Sequence, residues 1–234
     1  MSLAKKILWN TGIQVAGKVV STVLGIWLII LMTRSLGTEG FGAYTTANTY
    51  LQFFALFLDM GLNVTLVALL GERADDEAYQ KRCVSALFTL RVILALTILL
   101  VIAPISVFAF PYTWQIKLAV FALAGSFIFP SMNQVVVGAQ QKVLKLEQAA
   151  IAEVIGRIVS IVGVLLVIHY NLGLLPMMWV ITISSATLFF YNIYHARKDS
   201  SFAWNWDPAF WKMALLRSWP VGVTILLGLF YFKA

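Results

Sequence analysis

Long apolar runs, each near the length of a membrane-crossing helix, follow one another along this chain with short polar gaps between them. A helix needs about 20 mostly apolar residues to cover a bilayer. The runs predict seven spans, at roughly 11–33, 43–70, 83–108, 116–138, 148–168, 173–194 and 214–232. Only the gaps 71–82 and 195–213 are long. The second, with Trp204, Trp206 and Trp211, is expected to lie as a helix in the membrane interface, where aromatic rings settle. The expected fold is all-α, a polytopic helical membrane bundle. Residues 1–194 would hold six spans, 195–213 a connector and 214–234 a seventh span.

Composition sharpens this picture. Apolar residues make up 61% of the chain and charged ones 12%, with a mean hydropathy of +0.87. A soluble domain carries about a quarter charged residues. The net charge of +7 does not indicate nucleic acid, because the cations sit at loop ends or alone within spans instead of on one solvated face. Met1 to Lys6 is a basic start, but the apolar run after it is too long for a signal core and is read as a retained first span. The single cysteine, Cys83, permits no intrachain disulfide. The sequon Asn63-Val64-Thr65 lies inside a span and is discounted.

Loop charges give an orientation. Lys5, Lys6, Arg73, Lys81, Arg82, Lys142, Lys145, Arg197, Lys198 and Lys212 fall on one side, and only Arg34 and Lys117 on the other. The positive-inside rule places the first set, and the N-terminus, in the cytoplasm. The loops 34–42, 109–115 and 169–172 would then be outside.

Lys18, Asp59, Arg91, Glu153, Arg157 and Arg217 lie within the apolar runs. An ionisable residue at such depth is costly and marks a functional hypothesis. Several of them belong to polar stripes with helical spacing: Gln14, Lys18, Ser21 and Gly25; Asn48, Gln52, Asp59 and Asn63; Glu153, Arg157 and Ser160. A weaker stripe joins Ser126, Pro130 and Asn133. Such faces must point inward, since polar groups facing lipid would stay unsatisfied.

Two readings stand side by side. The stripes bond helix to helix, or they line a hydrated cavity. Pairing of Glu153 with Arg157, four residues on, and of Lys18 with Asp59 would fit the first. The six charges are four cations and two anions, and that surplus suits an anionic ligand such as a phosphate or pyrophosphate. Pro104, Pro130 and Pro220 are possible kinks. His169 and His195 fall at span ends and read as interfacial.

No Walker A loop, dinucleotide glycine fingerprint, zinc helix or nucleophile–base set is present in the sequence. No metal site, cofactor or enzymatic activity is therefore expected. Asp75, Asp76 and Glu77 read as a solvated loop.

The stretch Arg34-Ser35-Leu36-Gly37-Thr38-Glu39-Gly40-Phe41-Gly42-Ala43-Tyr44, then Phe53-Phe54, then Leu58-Asp59-Met60-Gly61-Leu62 has the form R-x-L-G-x-x-x-F-G-x-Y, an aromatic pair and D-x-G. It resembles the first two spans of the polysaccharide biosynthesis protein family, the O-antigen and oligosaccharide flippases of the multidrug/oligosaccharidyl-lipid/polysaccharide exporter superfamily. The resemblance implies a transporter of undecaprenyl-pyrophosphate-linked oligosaccharide in the bacterial cytoplasmic membrane, working by alternating access and coupled to a proton or sodium gradient. It implies two six-helix lobes around a cationic cavity, with pathway glycosyltransferases or a glycan polymerase as partners. Family members have twelve to fourteen spans, so seven would be one lobe and the start of the next. By depth and charge, Lys18, Asp59, Arg91, Arg157 and Arg217 are the cavity candidates, with Gln14, Gln52, Asn63 and Glu153 as an accessory polar stripe. A multidrug-type antiporter of the same superfamily and a polytopic enzyme of envelope glycan assembly are the alternatives. A non-transporting scaffold held by the stripes is a further one.

Overall fold

The computed structural model describes residues 3–73, 75–142 and 145–233. Met1, Ser2 and Ala234, at the ends of the outer expected segments, lie outside the described residues. The described chain is almost wholly helical and has no strand, as the apolar runs predict. Its helices are α1 (Leu3–Asp59), α2 (Leu62–Glu72), α3 (Glu77–Ala95), α4 (Ala103–Ser106), α5 (Trp114–Lys142), α6 (Glu147–His169), α7 (Leu174–Ala196) and α8 (Pro208–Lys233). Among the described residues five helical stretches are long and apolar enough to cross a membrane: Thr11–Glu72, Glu77–Ala109, Trp114–Lys142, Glu147–His169 and Leu174–Ala196. This is a multi-pass membrane protein.

The first stretch holds two passes. The loop expected at 34–42 is helical instead, interrupted only at Gly37 (φ 64°, ψ −172°). That backbone falls in a region of positive φ and extended ψ that is nearly reserved to glycine, where a side chain costs about 1–3 kcal/mol. The two halves of α1 run in opposite directions. The first runs parallel to α6, since Lys18 meets Glu153 and Gly25 meets Arg157. The second runs antiparallel to the Glu77–Ala109 stretch, since Tyr50 bonds Ala103 and Arg91 bonds Leu58. Val19, Val23 and Ile26 are more than half exposed on the first half, an apolar surface that suits lipid and not water.

The second pass breaks again at Met60 (φ 28°) and Gly61 (φ 73°), where α1 ends and α2 begins. The Asn48–Asn63 stripe, drawn for one continuous helix, is therefore interrupted after Asp59. α3 starts on Asp76, whose side chain accepts from the Tyr79 N–H at 2.9 Å, so one member of the acidic cluster is a helix cap. The third pass widens into a π-helix at Leu96–Ile102, where the Ala103 N–H reaches back to the Ile98 carbonyl. The wider turns fall immediately before Pro104, which has no N–H to continue an α-helical ladder.

α5 lies at the centre, packed on α7, α1, α3 and α2. Gly156 and Gly163, seven apart on α6, bring α7 close: a Cβ on Gly163 would sit 2.5 Å from Val180 Cγ1. Small residues at such an interface give helix packing without a hydrophobic drive. The amide chain Gln140 Nε2 to Asn192 Oδ1, and Asn192 Nδ2 to Asn133 Oδ1, each at 2.8 Å, ties α5 to α7 across buried surface.

Residues 197–207 form turns and irregular chain, not the expected interfacial helix. Trp204 and Trp206 are exposed there. Trp211 belongs to α8, and its Nε1 donates to the Ala86 carbonyl at 2.8 Å. α8 starts six residues before the expected seventh span, because Asp207 caps it and Pro208 occupies its first turn. Asp207 accepts from the Phe210 N–H at 3.1 Å and from Arg82, with Arg82 Nη2 at 2.6 Å. The Phe210 bond first, and Arg82 second, hold its carboxyl below the usual carboxylate range. A lowered folded-state pKa adds stability that is present above the unfolded value near 3.9 and is lost as pH falls through the folded value. Asp207→Asn is expected to flatten the acid limb of thermal stability below about pH 4. Melting midpoints from pH 6 to pH 3 check this, and an unchanged acid limb contradicts it.

Candidate functional site

The stripe on the first half of α1 and the stripe on α6 face each other. With α5 and α7 they enclose a cleft of about 780 Å³. Gln14, Lys18 and Gly25 line it from α1, Glu153, Gly156, Arg157 and Ser160 from α6. Lys18 Nζ lies 3.3 Å from Glu153 Oε1, and the Ser21 hydroxyl donates to the same oxygen at 2.7 Å. The Arg157 Nε–H points at Ser21 Oγ, 3.4 Å away. The guanidinium lies against α1 at Gly25, where a Cβ would make ordinary contact with Arg157 Cζ at 3.6 Å.

The expected charge pairs do not form. Glu153 pairs with Lys18 and not with Arg157, and Lys18 does not reach Asp59. Arg157 has no carboxylate within ion-pair distance among the described residues. The cleft therefore holds two cations against one engaged acid, surrounded by the polar groups of Tyr44, Asn133, Ser184 and Ser185.

The other candidates stand elsewhere. Arg91 is 1% exposed, and its Nη1 donates to the Leu58 carbonyl at 2.5 Å. Its Nη2 lies 3.8 Å from the half-exposed Asp59 carboxylate, and Nη2 and Nε have no hydrogen-bond partner. Arg91 thus sits at the carbonyl end of α1, where unpaired C=O groups and the negative end of the helix dipole favour a cation. Asn63 is half-buried beside Gly138, with its Oδ1 unpartnered. Arg217 grips Glu72 with both Nη atoms, joining α8 to the end of α2. Gln52 is exposed next to Phe53 and does not line the cleft.

α8 seats on the α1–α2 break. A Cβ on Gly61 would lie 2.8 Å from Val221, and one on Gly222 3.0 Å from the Met60 backbone. Ser218 and Gly222, four apart, present the small face that makes this approach possible.

Sequence reasoning passed over Tyr44, Ser184, Ser185 and Asn192. Ser185 and Asn192 have the seven-residue spacing used for the other stripes, so the signal was present in the sixth span.

The described residues thus form a bundle of passes around a polar cleft, with a helix docked on its flank. A crystal structure of a MATE protein in complex with MaD3S superposes with a TM-score of 0.74 at 18% identity, over 97% of this chain and 55% of that one. An outward-facing multidrug resistance MATE family transporter of the MOP superfamily gives 0.73 at 18% identity, over 97% and 54%. The chain thus spans about half the length of these proteins. No curated protein sequence matches it significantly. The model of the polysaccharide biosynthesis protein family matches residues 3–234, and the chain belongs to that family.

Proposed function

We propose that this chain forms one lobe of a flippase that carries undecaprenyl-pyrophosphate-linked oligosaccharide from the cytoplasmic to the outer leaflet of the bacterial inner membrane. The N-terminus is cytoplasmic, the lobes alternate access, and a proton or sodium gradient drives the cycle. Pathway glycosyltransferases or a glycan polymerase act beside it. Lys18 and Arg157 contact the pyrophosphate, and Gln14, Tyr44 and the cleft serines hydrogen-bond the sugars. The observation that carries this reading is Arg157, a guanidinium without a carboxylate partner in a large cleft of a membrane bundle. A half-buried fork of donors suits a phosphate group. Among the described residues the one cleft acid, Glu153, is held by Lys18 and Ser21, which leaves no free carboxylate there for a cationic drug.

Arg157→Ala in the full-length protein is expected to cut glycan export roughly tenfold or more, the effect of losing one charge-assisted hydrogen bond. Arg157→Lys should retain part of it. Surface polysaccharide is measured against protein abundance by immunoblot. Normal surface glycan in the alanine variant, at equal abundance, overturns the assignment.

A further inference from the structure

A second cavity, of about 560 Å³, opens at the end of the bundle that carries most of the lysines and arginines. The start of α3, the end of α5 and the turn after α7 form its walls. Lys81, Lys142, Arg197 and Lys198 line it, against Glu77 and Asp199. Both acids are already engaged. Glu77 lies 3.7 Å from Lys81, and Asp199 accepts from Lys145 Nζ at 2.6 and 2.8 Å. Lys142 Nζ donates to Gln80 Oε1. Arg197 and Lys198 have no carboxylate within ion-pair distance among the described residues.

The turn that carries them is built and held. The Arg197 N–H bonds the Ile193 carbonyl at 3.0 Å, and the N–H groups of Asp199 and Ser200 bond Ala196 at 3.1 and 3.0 Å. Ser85 Oγ on α3 donates to the Ser201 carbonyl at 3.0 Å, which pins the far side of the turn. Two uncompensated cations are thus held at a concave mouth whose floor is Leu70, Val84 and Ala139. This place is separate from the transport cleft. Gln141 lines the cleft and Lys142 lines this cavity, so the last turn of α5 stands between them.

We infer that this cavity binds a phosphate-bearing group, with the Arg197 guanidinium as the fork and the Lys198 ammonium as the second charge. Arg matches the geometry of phosphate oxygens, and Lys adds a mobile point charge. Basic pockets between the ends of membrane helices lie at the depth of lipid headgroups, and each cation there strengthens the hold on an anionic lipid. The phosphate belongs to such a headgroup or to a soluble phosphorylated compound. The inference rests on the membrane bundle and not on what the cleft carries.

The test uses the purified protein in nanodiscs of phosphatidylcholine alone or with phosphatidylglycerol, followed by thermal unfolding and native mass spectrometry of retained lipid. Arg197→Ala with Lys198→Ala is compared with Lys117→Ala with Lys212→Ala, which removes the same charge elsewhere. Wild type and the second pair should be stabilised by phosphatidylglycerol, and the first pair should bind it roughly tenfold more weakly. Stabilisation by phosphatidylglycerol but not by inorganic phosphate in phosphatidylcholine discs identifies a lipid headgroup. Stabilisation by inorganic phosphate alone identifies a soluble compound. If the first pair responds to both probes as wild type does, or if neither probe stabilises the wild type, the inference falls.

Discussion

Arg91→Ala is expected to destabilise the folded protein by about 3 kcal/mol, because it strips the cap from a broken membrane helix and leaves a cavity in its place. Arg91 is wholly buried, and its Nη1 is the group that satisfies the Leu58 carbonyl. Asp59, its acidic neighbour, is 43% exposed, so the ion pair itself is screened. Asp59→Asn should therefore cost only about 0.5 kcal/mol. Arg91→Met keeps most of the volume but not the donor, and is expected to fall between the two. Unfolding midpoints in detergent rank the three variants. If Arg91→Ala unfolds no more readily than Asp59→Asn, the capping account is wrong.

Gly61→Ala is the second large effect, and it separates two causes. At φ 73° any side chain carries a backbone cost of about 1–2 kcal/mol. Its new Cβ would also stand 2.8 Å from Val221, on α8, which adds about 1–3 kcal/mol of overpacking. Gly37→Ala carries a backbone cost alone, since φ is 64° and ψ −172° there and nothing lies within 4 Å. Gly61→Ala is expected to cost about 3 kcal/mol in total and Gly37→Ala about 2 kcal/mol. Val221→Ala in the Gly61→Ala background should recover the steric part and leave the backbone part. If Val221→Ala recovers nothing in the Gly61→Ala background, α8 does not press on the break.

These two glycines are the ones in the R-x-L-G and D-x-G stretches that carry the family resemblance. The motif was legible, and its physical content is two changes of backbone direction that only glycine makes cheaply. The passes at 116–138, 148–168 and 173–194 were legible to within a few residues, because length and hydropathy suffice for a membrane helix. The start of α8 was misplaced for the opposite reason. Hydropathy pointed to 214, while the Asp207-Pro208 pair carried an N-terminal signal that hydropathy ignores.

The cleft was legible only in part. Helical period placed Gln14, Lys18, Glu153 and Arg157 correctly on their own helices, and those stripes do meet. Period says nothing about which helices are neighbours, so the partners of Lys18 and Glu153 were misjudged. The break at Met60–Gly61 invalidated the single-helix geometry that put Asn63 on one face with Gln52 and Asp59. Arg217 was taken for a cavity cation because its partner, Glu72, lies on a different helix end.

The bonds of the cleft also set an order of construction. Lys18 and Ser21 meet Glu153 across 135 and 132 residues of chain. The ribosome delivers the first pass long before α6 exists, and chain is made at about 5–20 residues per second. During that interval the first pass waits in the membrane with its lysine and serine unmatched, and α2 to α5 must insert before relief arrives. Closure of the cleft is therefore a late event in biogenesis, and a nascent chain halted before α6 exposes a polar stripe to lipid that quality-control machinery can read.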